Sequence, residues 1–255
     1  MKVDKKFIKK IIILIFILEI FIPDLFASVQ IYPTRIETKA NPGEVITNYF
    51  MFENKNKEEI NVTMFFKDWY KLKENKDISA SEYLKVEPKE FTVLPSEKKI
   101  IRCIAKVPQK AVGELVSMIY FCYKERKETI LNTRFGVSLY IAIEGTIKKQ
   151  GKINNFKVMK HKNNKDINYI FSIEIENTGN VHLRPSGIIK IRNKYDKPVK
   201  TVEIKYGWPV YPGQKYKYTG VWTVEEELKG KFKAEFVIKD LKEDGVVTQE
   251  FEFEL

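Results

Sequence analysis

The stretch from Asn132 to Gly145, NTRFGVSLYIAIEG, constrains the fold more than any other, because apolar residues recur in it at every second position. Phe135, Val137, Leu139, Ile141 and Ile143 fall on one face, and Gly136, Ser138, Tyr140, Ala142 and Glu144 on the other. That is the period of a strand, not of a helix. The first face is wholly apolar and asks to be buried. The second mixes polar and apolar groups, so it can border solvent, a partner or a neighbouring strand, and Gly145 ends the run. The stretch reads as the last strand of one β-domain and the lead-in to the next.

Comparable runs precede it. Val29 to Tyr32 leads into Pro33-Thr34-Arg35-Ile36, Asn41-Pro42-Gly43-Glu44 turns the chain into Ile46 to Phe52, and Val62, Met64 and Phe66 alternate within Ile60 to Trp69. Lys71 to Ser81 is charged and reads as an exposed loop. Tyr83 to Leu94 holds two extended pieces separated by Pro88, and Pro95-Ser96-Glu97 turns into Lys99 to Val107. After Gly113-Glu114 comes Val116 to Tyr123, with a charged hairpin at Lys124 to Glu128. About seven strands at roughly ten-residue spacing are the pattern of an immunoglobulin-like sandwich. A second set follows Gly151: Tyr169, Phe171, Ile173 and Ile175 line one face of a strand, Asn177-Thr178-Gly179-Asn180 and Tyr211-Pro212-Gly213-Gln214 are turns, and Asp244-Gly245 is a hairpin signal before Val247 to Leu255. The expected architecture is all-β, with two immunoglobulin-like sandwiches at 28–147 and 152–255 behind an N-terminal signal-peptide helix at 1–27.

That leader has the layout of a secretory signal. Lys2, Lys5, Lys6, Lys9 and Lys10 precede an apolar run from Ile11 to Ile22, and small Ala27 suits a cleavage point. The run is shorter than the roughly 20 residues of a spanning helix. The chain is therefore expected to be exported to a periplasm or cell surface, with an N-terminal membrane anchor as the alternative if the signal is retained. Removal takes five Lys against Asp4, Glu19 and Asp24, so the formal charge falls from +11 to +9 (11 minus 5 plus 3). The remaining Lys residues are spread along strand faces and form no basic block, and no nucleic-acid-binding module is present.

The residues that could carry chemistry are few. His161 and His182 are the only histidines and have no partner at metal-ligand spacing; His182, in NVHLRP, reads as a structural turn residue. No nucleophile elbow, phosphate loop or Cys-x-x-Cys occurs, so neither catalysis, metal nor cofactor is expected. Cys103 shares a face with Ile101, Ala105 and Val107, whereas Cys122 shares one with Met118, Tyr120 and Lys124. Their sulfurs are expected on different faces, with no disulfide between them.

The ordered series Val29 to Ile36 with Pro33-Thr34-Arg35, Asn41-Pro42-Gly43-Glu44, Val86-Glu87-Pro88, Leu94-Pro95-Ser96-Glu97, Ile100-Ile101-Arg102 and Tyr120-Phe121 resembles the N-terminal domain of PapD-like periplasmic pilus chaperones. The resemblance covers about Ser28 to Gly145. It implies a sandwich whose last strand is lent to an incomplete pilin subunit by strand addition, here through Phe135, Val137, Leu139 and Ile141. It also implies two basic residues that anchor the subunit's terminal carboxylate. Arg35 matches the first, but Ser138 stands where the second belongs. From the residues alone, the apolar face of the strand fits a sandwich core as well as a donor edge, and Arg35 fits a surface pair with Glu37 or Glu144. Downstream, Glu176 to Gly187 with Trp208 to Gly213 and Trp222 is similar to an immunoglobulin-like module of bacterial WxL-interacting envelope proteins. The expected role is non-enzymatic binding of an exported protein subunit, chaperone-like. The alternative is a structural or adhesive envelope protein in contact with cell-wall polymer.

Overall fold

The computed structural model describes residues 29–68, 78–124, 132–163, 165–204, 207–243 and 245–255. The signal-peptide expectation, most of the charged loop after Lys71, the hairpin after Lys124 and Asp244 lie outside the described residues. Within them the regular elements are sixteen strands and one 3-10 turn at Ser81–Tyr83. Among the described residues no helix is long and apolar enough to cross a membrane.

The first sandwich comprises β1 (Val29–Tyr32), β2 (Arg35–Ala40), β3 (Val45–Asn54), β4 (Ile60–Lys67), β5 (Leu84–Glu87), β6 (Glu90–Val93), β7 (Lys98–Lys106), β8 (Glu114–Tyr123) and β9 (Thr133–Ile143). One sheet has the order β1-β3-β7-β5 and the other β2-β9-β8-β4-β6. Two stretches cross from sheet to sheet: β1 passes to β2 at Pro33, and β5 passes to β6 at Pro88. Proline has no N–H to give to a ladder, so each sits at the break. Between the sheets Phe50 meets Phe121 edge-on at 5.5 Å, and Val137, Leu139, Ile141 and Ile143 of β9 are fully buried beside them. The apolar face of β9 is thus sandwich core.

The second sandwich comprises β10 (Gly151–Lys162), β11 (Ile167–Asn177), β12 (Ser186–Asn193), β13 (Pro198–Ile204), β14 (Lys215–Val224), β15 (Lys231–Lys239) and β16 (Val246–Glu254). Its sheets run β10-β11-β14 and β13-β12-β15-β16. Tyr169, Phe171, Ile173 and Ile175 of β11 face Ile189, Ile191, Phe236 and Ile238 across the core. Two layers with these orders, antiparallel but for the parallel pair β2–β9, make both units immunoglobulin-like sandwiches.

The two sandwiches solve one problem identically. Where β3 ends, Asn54 is fully buried; its Nδ2 donates to the carbonyls of Glu58 (2.8 Å), Val93 (2.9 Å) and Leu94 (3.2 Å), and its Oδ1 accepts the N–H of Asn56. Where β11 ends, Asn177 is also fully buried; its Nδ2 donates to Val181 (2.8 Å) and Val210 (2.7 Å), and its Oδ1 accepts the N–H of Gly179. Each asparagine's backbone then pairs with a Pro-containing turn, Leu94 to Glu97 in one case and Tyr211 to Gln214 in the other. The third position of each turn has positive φ, 62° at Ser96 and 75° at Gly213. An asparagine fits here because it alone supplies two donors and an acceptor on a short side chain.

Cys103 is buried on β7, where desolvation pushes its thiol up to about 12. Cys122 lies in the opposite sheet, partly exposed between Thr63 and Arg134, and both cysteines are free.

Asn54→Ala and Asn177→Ala should each cost about 2–4 kcal/mol, because a buried corner loses the amide that pairs several of its backbone groups at once. Urea unfolding followed by circular dichroism measures this. Losses below about 1 kcal/mol would show that the corners do not depend on these amides.

Candidate functional site

The polar face of β9 is where the two sandwiches meet. Tyr140, on that face, is 2% exposed and packs with Ile78, Val116 and Tyr211 in a small apolar cluster that joins the sandwiches. Its hydroxyl lies 3.0 Å from that of Tyr211, whose phenol is pushed up by burial and by the Tyr140 neighbour. Close approach is required by the connection too. Gly113 has φ +76°, and a Cβ there would sit 2.5 Å from the carbonyl oxygen of Asn180. Asn180 holds the linker on the other side: its Oδ1 accepts the Lys148 N–H at 2.6 Å and its Nδ2 donates to the Thr146 carbonyl at 2.8 Å.

Beside this cluster lies a charged junction. In the segment Val181 to Arg184, Leu183 enters the second core, so by two-residue alternation His182 and Arg184 turn towards the first sandwich. Glu114, at the start of β8, is 4% exposed, and both of its oxygens lie within 2.9 Å of His182 Nδ1. Its Oε2 also accepts the His182 backbone N–H at 3.1 Å. On the other side of the imidazole, Arg184 Nε donates to Nε2 at 3.1 Å and to Glu37 Oε1 at 3.2 Å. The ring of His182 packs on that of Tyr140 at 4.2 Å, tilted by 33°, and the Arg184 guanidinium lies 5.2 Å over the Tyr140 ring. Glu37 Oε1 also meets Arg35 Nε at 3.0 Å. The adjacent His182 imidazole, with Arg35 and Arg184 adding charge and partial burial opposing, holds the Glu37 carboxyl at about 2, well below its ordinary 4.5.

This junction forms one wall of an open cleft of about 480 Å³, lined by Arg35, Ser138, Tyr140, Arg184 and the rim residues Trp208 and Pro209. Trp208 is 58% exposed. Arg35 and Ser138 are direct neighbours in the parallel ladder between β2 and β9. The position without a second cation is therefore beside Arg35, and Arg184 reaches the same cleft from the second sandwich.

From Ser138 to Ile143, β9 has β2 along one edge and β8 along the other. From Thr133 to Val137 only β8 is paired with it among the described residues. Of the apolar candidates, Val137, Leu139 and Ile141 are buried in the core, and Leu139 and Ile141 carry β2 alongside as well. Phe135 is partly buried and lies within the uncovered stretch. On the outer face Phe65 stacks on Tyr120 at 5.1 Å with the Arg134 guanidinium 5.4 Å over Phe65. Gly136 leaves room there, since a Cβ would meet Met118 Sδ at 2.9 Å.

Sequence reasoning singled out Arg35 but missed Glu114, His182 as an interface residue, Arg184 and Glu37 as a bridging carboxylate. One available signal was Tyr140, a large aromatic on the otherwise polar face of its strand. A second was the alternation of His182 and Arg184 about Leu183.

No family model matches the chain, and no curated protein matches it. Among solved structures it is similar to pilus and fimbrial chaperones. The YadV chaperone is 13% identical with a TM-score of 0.48, over 89% of this chain and 100% of that one. The class 5 fimbriae chaperone CfaA is 17% identical with a TM-score of 0.47, over 87% and 98%. A chain from the complex of the Salmonella enterica SafA pilin with the SafB chaperone is 13% identical with a TM-score of 0.44, over 91% and 98%.

A carboxyl lowered in the folded state adds stability above its unfolded value, and that contribution is lost as pH falls through the folded one. Stability should therefore drop between pH 4.5 and about 2 as Glu37 takes up its proton. In Glu37→Gln this part of the acid limb should be flatter, as read from denaturant midpoints across that range. Equal slopes in both proteins would show that Glu37 is not linked to folding.

Proposed function

We propose that the protein is an exported, non-enzymatic binding factor that accepts an extended segment of another exported protein as an added strand, acting in the manner of a chaperone. The observation that carries this reading is the half-covered β9: a strand with β2 beside Ser138 to Ile143 and, among the described residues, an edge from Arg134 to Val137 with no strand beside it. Such an edge offers unpaired backbone groups to a second chain. Four residues at about 3.3 Å each give it a length of about 13 Å.

Arg35 sets the direction. It stands opposite Ser138, where β2 begins and the open edge stops. A segment running parallel to β9 brings its carboxyl end to Arg35, and an antiparallel one brings its amino end there. The guanidinium favours the first. Arg184 adds a second cation across the same cleft, and Trp208 gives it an apolar rim. Phe135 contributes side-chain contact along the edge, while Val137, Leu139 and Ile141 hold the strand in place from the core.

The test is to isolate the protein with the partner that accompanies it from its own envelope and to measure amide exchange. Bound partner should slow exchange at alternate amides of Arg134 to Val137, and Arg35→Ala should weaken binding by about 10- to 100-fold, the worth of a charge-assisted hydrogen bond. Phe135→Asp should weaken it as well. A bound partner that leaves these amides exchanging freely rules out strand addition. Leu139→Asp is not a probe of binding, because a charge in the core unfolds the domain.

A further inference from the structure

We propose that His182 is a proton-operated latch between the two sandwiches, closed when the imidazole is charged and loosened when it is neutral. The geometry carries the argument. Nδ1 lies against both oxygens of buried Glu114, so it keeps its proton in either state and donates to that carboxylate. Nε2 is the atom that changes. Neutral, it accepts from Arg184 Nε at 3.1 Å. Protonated, it can no longer accept, so Arg184 Nε is left to Glu37, and the new N–H faces Glu37 Oε1, now 3.7 Å away. The charged imidazole then ties two carboxylates of the first sandwich, on β8 and β2, to the second.

The other groups around the ring do not compete for this role. Tyr140 from β9 packs on the imidazole, and Tyr211 from the turn before β14 has its hydroxyl on Tyr140. Arg35 is held by Glu37. Lys39, Lys149, Asp240 and Glu243 line the surrounding cavity. Of these, Lys149 pairs with Asp240, and Asp240 Oδ2 also accepts the Arg184 backbone N–H at 2.5 Å. Burial alone would disfavour the imidazolium, but the hydrogen bonds to Glu114 and the nearby Glu37 carboxylate outweigh it and raise the pKa of His182 above its ordinary 6.5. A raised basic group adds stability below its unfolded value and loses it as pH rises through the folded one, so the latch opens on the alkaline side.

The experiment uses the apo protein. Its two histidines give two imidazole signals, and His161→Gln assigns them. The His182 midpoint should lie above 6.5, and residual dipolar couplings from the two sandwiches should lose their common alignment through that same midpoint. Glu37→Gln, with a half-exposed side chain that the core does not need, should lower the midpoint by at least about half a pH unit, as expected on removing a charge less than about 4 Å away even under strong screening. His182→Gln should make the domain alignment independent of pH. A wild-type midpoint below 6.5, or one that Glu37→Gln leaves unmoved, overturns the proposal. If His182→Gln does not fold, those two measurements decide it.

Discussion

Glu114 is a carboxylate taken almost entirely out of water at the contact between two domains, and the arrangement of the cleft depends on how that charge is compensated. An unpaired charge so placed would cost several kcal/mol. Its described hydrogen-bond partners are the backbone and ring of His182, both supplied by the second sandwich. In the docked state these groups therefore take the place of water at Glu114. Docking places Arg184 over Tyr140 and sets Trp208 at the rim facing Arg35. A polar pair of this kind contributes less to net stability than to fixing a single geometry.

Within each sandwich the organising device is the buried corner asparagine. The same side chain ends the second long strand of each unit and ties it to a Pro-containing turn, although little else in the two sequences corresponds. Backbone groups at a sandwich corner must be paired once water is gone, and few side chains can do it. The units differ in their first strands. In the second sandwich β10 stays in one sheet along its length, whereas in the first β1 and β2 divide between the sheets. That division covers part of β9 and, among the described residues, leaves Arg134 to Val137 without a strand on that side.

The strands were legible because burial of one sheet face imposes a two-residue period, and Asn132 to Gly145, Ile167 to Glu176 and Phe232 to Ile238 show it plainly. The turns were legible through Pro, Gly and Asn. The junction was not. Glu114 and His182 stand 68 positions apart and have no local pattern that pairs them. Glu114 read as the end of a turn, and His182 as a turn residue. The same period that marked the core face of β9 could not say which of the open options its other face takes up. For Tyr140 the answer is the second sandwich. Arg35 was found by its context, but its described partner is Glu37 and the cation nearest to it in the cleft comes from another domain, which no strand pattern reveals.

The passage of β1 into β2 at Pro33 has a consequence for any chain laid along the open edge. Because β2 lies in line with that edge and begins at Arg35, the edge has a fixed stop at that end. A segment seated against the stop has its register counted from its own last residue. The side-chain pattern that such a partner must show is then apolar at alternate places measured backwards from its terminus, whatever its length upstream. The stop works as the zero mark of a ruler. On the proposed strand addition, it would separate partners by how they end rather than by how long they are.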